Sequence, residues 1–239
     1  MALPLLSVVM ASYNRAPLLA RTLASIRRQR PSFPYEILVV DDGSEDDTKG
    51  VCETYGVRTF RTERRGYCNP GPARNIGYRE AKGHILVCQS DDTLHLSEDS
   101  LERLATCGPT EVLIATVWEL GPEGQRVSQY TGSENRRPFF FLGSVQKSHL
   151  YAVGGDDEDF TLPGFEDDWL AARLQRGRRL TPVYRGDIEG AHQWHPRPPQ
   201  EQGMEWALEM QALSHHKLKT ATETGAWVSG SGAWEMACA

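Results

Sequence analysis

The stretch 5–29, LLSVVMASYNRAPLLARTLASIRRQ, decides the fold. Its first six residues form a short apolar run, the mark of a strand buried on both faces. From Ala16 onward the spacing changes: Leu18, Leu19, Thr22, Leu23 and Ile26 recur at helical period, which predicts a helix over 16–29. Between strand and helix lies Ala11-Ser12-Tyr13-Asn14-Arg15, a polar loop leaving the carboxyl end of the strand. The unit then repeats. A second buried strand over Tyr35 to Val40 ends in Asp41-Asp42-Gly43-Ser44, and Thr48, Val51, Cys52 and Tyr55 mark another helix, followed by a weaker strand over Val57 to Phe60. Strand, helix, strand, helix, strand indicates a parallel sheet covered on both faces, the α/β class.

Further along, Gly66 to Gly71 reads as loop and Pro72 to Ala81 as helix, with Pro72 near its start and Gly83 just past its end. His84 to Gln89 is the next buried strand, followed by Ser90-Asp91-Asp92. Ser97 is placed to cap a helix that uses Leu101, Leu104 and Ala105, and Glu111 to Trp118 is the last clear strand of this half. After Gly121 the rhythm changes. Arg126 to Tyr130 and Phe139 to Leu142 are short extended pieces, which suggests a mixed sheet in the second half. Leu180 to Tyr184 is a further strand, and Met204 to Leu218 has helical spacing. The last fifteen residues, with Trp227 and Trp234, carry no readable pattern.

At 239 residues the chain suits one sizeable α/β domain, with or without a small appendage. A hydrophobic fraction of 39% and a charged fraction of 24% are those of an ordinary folded protein. No run reaches the roughly 18 consecutive apolar residues of a membrane span. Ala2 to Met10 lacks the basic flank of a signal peptide, so a cytoplasmic protein without a transmembrane segment is expected. The net charge of −6 argues against nucleic acid as a partner. Cys52, Cys68, Cys88, Cys107 and Cys238 are odd in number and form no C-x-x-C pair, which suits reduced thiols.

In a doubly wound sheet, ligands bind at the carboxyl ends of the strands. Three loops leave such ends with polar residues: Ala11 to Arg15, Asp41 to Ser44, and Ser90 to Asp92. Neither a G-x-G-x-x-G nor a Walker phosphate loop is present. Asp42 has two readings, a hydrogen-bond acceptor for a base or ribose, or an Asx-turn or helix cap. Arg74 is either a partner for a diphosphate or a surface ion pair. Asp91-Asp92 fits a hard divalent cation or ordinary turn chemistry. His192 and His195 are metal ligands or structural histidines.

Val153 to Leu170 packs seven carboxylates into eighteen positions with no Lys or Arg among them. Such crowding raises some of their pKa values unless a cation offsets it. Glu166-Asp167-Asp168 falls at the expected first turn of a helix running through Trp169 to Gln175, where a rigidly held carboxylate suits a general base.

Taken together, these residues resemble the inverting GT-A glycosyltransferases of the large family-two group that uses nucleoside-diphosphate sugars. The match runs in order through SVVMASYNR at 7–15, VVDDGS at 39–44, GPARNIG at 71–77, SDD at 90–92 and GGDDEDFTLPGFEDDWLAARL at 154–174. HQWHPR at 192–197 resembles the histidine segment of a galactosyltransferase-like C-terminal half. The resemblance implies a Rossmann-like, mostly parallel nucleotide-binding sheet merged with a smaller mixed acceptor-side sheet. It implies one domain over 1–220, with a nucleotide-sugar half at about 1–120 and an acceptor half at about 121–200, and a tail at 221–239.

It also implies roles. Ala11 and Tyr13 would line the nucleobase, Asp42 would hydrogen-bond it, Arg74 would sit by the base or the diphosphate, and Asp91 would contact ribose. Asp92 would bind Mn2+ or Mg2+, with His195 as second protein ligand and His192 beside it. Asp167 matches the catalytic base. Asp157 and Glu166 are then acceptor-side or positioning groups and Trp194 an acceptor-side residue, while Asp156, Glu158, Asp159 and Asp168 keep the plain reading of a solvated loop and helix start. The donor would be a nucleoside-diphosphate sugar, a UDP-sugar favoured, and the acceptor a saccharide or other hydroxyl compound. Ser90 stands where the family usually has an Asp. A sugar-phosphate nucleotidyltransferase would carry a Gly-rich basic loop after the first strand, which is missing here. A catalytically silent sugar- or nucleotide-binding protein is the other alternative.

Overall fold

A computed structural model describes residues 4–63, 69–137, 140–196 and 199–235. The expected loop over 66–71 falls partly outside these residues, as do Phe139, Arg197, Cys68 and Cys238.

The first half follows the sequence pattern closely. Strand β1 (Leu6–Ser12), helix α1 (Ala16–Arg27), β2 (Tyr35–Asp41), α2 (Thr48–Tyr55), β3 (Arg58–Arg61), α3 (Gly71–Glu80) and β4 (Ile85–Gln89) succeed one another. β1 pairs in parallel with both β2 and β4, and β2 pairs in parallel with β3. Val8 and Met10 bury against one face of the sheet and Val9 against the other, which is why β1 is apolar without alternation. Leu19, Leu23 and Ile26 of α1 join the first cluster, and Tyr78 of α3 joins the second.

The second half departs from simple winding. β5 (Thr93–His95), α4 (Ser100–Leu104), β6 (Glu111–Leu120), β7 (Arg126–Thr131), β8 (Leu142–Gln146), α5 (Lys147–Val153), α6 (Glu166–Ala172), β9 (Thr181–His192) and α7 (Gln200–Thr224) complete the chain. The strands form one nine-stranded sheet in the order β3-β2-β1-β4-β8-β6-β9-β5, with β7 paired to β6. β8 runs antiparallel to both β4 and β6, so a strand from after residue 121 sits between two from before it. Gly143 permits that insertion: a Cβ there would lie 2.7 Å from the Leu113 carbonyl oxygen.

Several local expectations shift. Of the extended piece expected over 139–142, Phe139 lies outside the described residues and Leu142 opens β8, which runs on to Gln146; β5 and α5 have no counterpart in the sequence pattern. Ser97 does not cap α4, whose preceding residue is Asp99. The helix expected over 169–175 is α6 followed by a π-helical turn at Arg173–Gly177, and α7 extends beyond both ends of its apolar pattern. The segment after α7 returns to the body: Ser229 N–H donates to the Val153 carbonyl (2.8 Å) and Trp234 N–H to that of Tyr151 (2.8 Å). No described helix is long and apolar enough to cross a membrane.

Candidate functional site

The carboxyl ends of β1, β2 and β4 open together onto a cavity of about 670 Å³. Its lining includes Ala11, Tyr13, Asp42, Arg74, Asp91, Asp92, Glu166, Asp167, His192 and His195. The loops after β1 and β2 are tied to each other. Asn14 N–H donates to Ser44 Oγ (2.9 Å), and Asn14 Oδ1 accepts from Glu45 N–H (2.7 Å). Asn14 takes φ 51°, a conformation that asparagine tolerates. The turn chemistry that could have occupied Asp42 falls to its neighbour: Asp41 Oδ1 accepts from Ser44 N–H (2.8 Å). Asp42 accepts from Thr62 Oγ1 (2.6 Å) and lines the cavity.

On one wall Asp91 and Asp92 are both buried. Asp91 accepts from Ser12 Oγ (2.7 Å), and burial pushes its carboxyl up to about 6 against the pull of Arg15. Arg15 also pairs directly with Asp92. Burial alone would raise Asp92, but His192, Arg15 and the Ser90 hydroxyl hold it below the usual carboxylate range. Ser90 Oγ donates to Asp92 Oδ1 (2.7 Å), so the serine at the departing position orients the carboxylate behind it. Asp92 Oδ2 lies 3.4 Å from the Nε2 atoms of both His192 and His195. The ligand atoms of the three residues lie within 4.8 Å of one another, close to the separation of about 4.4 Å or less that one shared divalent ion imposes, so a side-chain shift of a few tenths of an ångström would bring all three to it. A carboxylate with two imidazoles suits such a cation. Tyr130 and Phe141 pack on the His192 ring at 5.1 and 5.2 Å and fix its plane.

The opposite wall is the start of α6. Phe165, in the left-handed region at φ 63°, turns the chain so that Glu166 and Asp167 enter the first turn facing the cavity. Arg74 Nη1 lies 3.4 Å from Asp167 Oδ1 and 3.9 Å from Asp156 Oδ2. The guanidinium side chain is 11% exposed, so the surface ion pair foreseen as one alternative is instead a buried one. Burial raises Asp167, while Arg74 draws it back. Burial and the Asp167 charge push Glu166 up to about 8. At neutral pH Glu166 therefore keeps its proton and Asp167 is the member of the pair more readily ionised.

Two expected acceptor-side residues do not line this cavity. Asp157 accepts from Trp169 Nε1 (2.8 Å) and pairs with Lys217 of α7 at 3.1 Å, which fastens the acidic stretch to that helix. Trp194 faces away, into a separate cleft. Asp156, expected in a solvated loop, is 1% exposed, neither of its carboxylate oxygens accepts a hydrogen bond, and burial pushes it up to about 6. Glu158, Asp159 and Asp168 meet Arg79, Lys217 and Arg137. These cations come from remote parts of the chain, so the acidic run gave no sign of them. Gln200, Gly203 and Trp206 of α7 also line the cavity and had no marker in the sequence beyond helical spacing. Arg15 did have one, its place in the first loop.

A sequence model of Glycosyl transferase family 2 matches residues 7–143. Chondroitin synthase of Escherichia coli is 28% identical over 81% of this chain and 35% of its own length. Two solved structures share the fold. The mannosyltransferase PcManGT of Pyrobaculum calidifontis, in complex with GDP-Man and Mn2+, has TM-score 0.61 at 20% identity, covering 86% of this chain and 60% of that one. S. aureus TarS 1-349 in complex with UDP has TM-score 0.63 at 19% identity, covering 87% and 64%. The chain thus spans about a third of the length of the chondroitin synthase.

Proposed function

The chain belongs to glycosyl transferase family 2, and from that premise we propose that it moves a sugar from a nucleoside-diphosphate donor to an acceptor hydroxyl, with inversion at the anomeric carbon. The observation that carries this reading is the two-walled cavity, with Asp92, His192 and His195 on one wall and Asp167 against Arg74 on the other. Asp42 would hydrogen-bond the base that Ala11 and Tyr13 line, and Asp91 would contact ribose. A UDP-sugar is the favoured donor, supported by the UDP that TarS holds.

Mn2+ or Mg2+ held by Asp92, His195 and His192 would neutralise charge on the departing nucleoside diphosphate. Asp167 takes the proton from the acceptor hydroxyl, which raises its nucleophilicity as it attacks from the face opposite the leaving group. Glu166, protonated beside it, lies on the acceptor side and offers a hydrogen bond without competing for that proton. The acceptor is a saccharide or another hydroxyl compound. A cytoplasmic location fits the free, buried thiols of Cys52, Cys88 and Cys107.

The test is transfer and donor hydrolysis with UDP- and GDP-sugars, with and without Mn2+, and the anomeric configuration of the product read by NMR. Retained configuration would remove inversion from the reading. Nucleotide binding with no turnover of any donor would leave a silent binding protein.

A further inference from the structure

The segment His192-Gln193-Trp194-His195 borders two cavities. His192 and His195 line the large one. Gln193 and Trp194 line a second cleft of about 410 Å³, together with Arg21 and Ala24 of α1, Arg28 at its C-terminal cap, Leu94 of β5, and the turn between β6 and β7. This volume is within the range of small-ligand sites, about 300–1,000 Å³.

We propose that this second cleft binds an anionic saccharide, held by stacking on Trp194 and by the guanidinium groups of Arg21 and Arg28. Trp194 is 50% exposed and lines the cleft. An exposed indole suits the C–H side of a pyranose ring. Arg21 of α1 and Arg28, which caps the helix in right-handed conformation and so continues its winding, stand seven positions apart on one stripe, with the small Ala24 between them leaving room for a ligand. Both are exposed, and no hydrogen bond or ion pair engages either guanidinium among the described residues. Two planar forks aimed at one cleft match a carboxylate or similar anion.

Gln193 fixes the wall of the cleft. It is 2% exposed, and its Nε2 donates to the Leu18 carbonyl and to Thr22 Oγ1 (both 3.1 Å), so it pins the Trp194 segment to α1 beside the two arginines. The inference rests on the glycosyltransferase reading, because it gives the enzyme a second hold on an acidic saccharide away from the transfer site.

Isothermal titration calorimetry with tetragalacturonic acid, and with neutral maltotetraose as control, tests it in the full chain. The acidic probe should bind, weaken with added salt, and lose about tenfold affinity or more in Trp194→Ala and in the Arg21→Ala/Arg28→Ala double variant. UDP binding with Mn2+, measured in parallel, should be unchanged in the double variant. Absence of acidic-probe binding, equal binding of maltotetraose, or undiminished affinity in the variants overturns the proposal. Because UDP binding is read separately, this failure is distinct from failure of the donor-site reading.

Discussion

Arg74 Nη1 lies 3.4 Å from Asp167 Oδ1, and that one contact joins the helix after the third strand to the proposed base. The same nitrogen is 3.9 Å from the buried Asp156. Breaking a buried ion pair strands a charge, at a cost of about 3–5 kcal/mol. Arg74→Met should lower thermal stability and move the acid limb of the pH–kcat profile upward, because Asp167 loses the cation that draws its pKa down. Arg74→Lys should restore part of the profile. An unchanged acid limb in Arg74→Met would separate Arg74 from Asp167.

Asp167→Asn should lose about 10²–10⁴-fold in kcat while donor affinity, measured by calorimetry, is kept. Wild-type-like turnover would remove Asp167 from proton transfer.

Glu166 makes stability depend on pH. Its carboxyl is raised from 4.5 to about 8, so the folded state binds more protons than the unfolded state between those values. The stabilising contribution of the protonated form is complete below pH 4.5 and is lost as pH rises through about 8. Glu166→Gln should flatten this part of the Tm-against-pH curve. A curve identical to the wild type's would show that Glu166 titrates normally.

Asp92→Asn should weaken Mn2+ binding by more than about 100-fold, and Ser90→Ala by about tenfold, since Ser90 donates to the proposed ligand Asp92 and would orient it without binding the ion itself. Direct titration with Mn2+ distinguishes the two. Equal affinity in Asp92→Asn and wild type would place the metal elsewhere.

Gly155, at φ 64°, has Trp234 and the Asn75 amide oxygen where a Cβ would sit, at 2.1 and 2.4 Å. Asn75 also donates to the Asp156 carbonyl (2.9 Å) and accepts from Asp156 N–H (2.8 Å). Gly155→Ala should destabilise by more than about 1 kcal/mol and loosen the tail, read as a lower Tm with faster amide exchange at Trp234. An unaltered Tm would mean that the tail yields freely.

The parallel half of the sheet and the three loops at its strand ends are legible in the local pattern of the chain. Apolar runs and helical spacing are local, and a parallel sheet places successive loops at the same edge whatever the details of packing. Asp42, Asp91 and Asp92 were legible for that reason. Tertiary structure decided the rest through partners distant in the chain. Strand β8 found its place between β4 and β6 by non-local pairing, against an expectation shifted toward residue 139. The acidic stretch held no cation of its own, so Arg74, Arg79, Arg137 and Lys217 became its counter-ions only on folding. Their approach, and the burial that came with it, divided one run of carboxylates into an ionisable Asp167, a protonated Glu166, a buried Asp156 and an Asp157 tied to α7. A carboxylate's charge depends on the dielectric and the cations around it, and neither is written in the order of its neighbours along the chain.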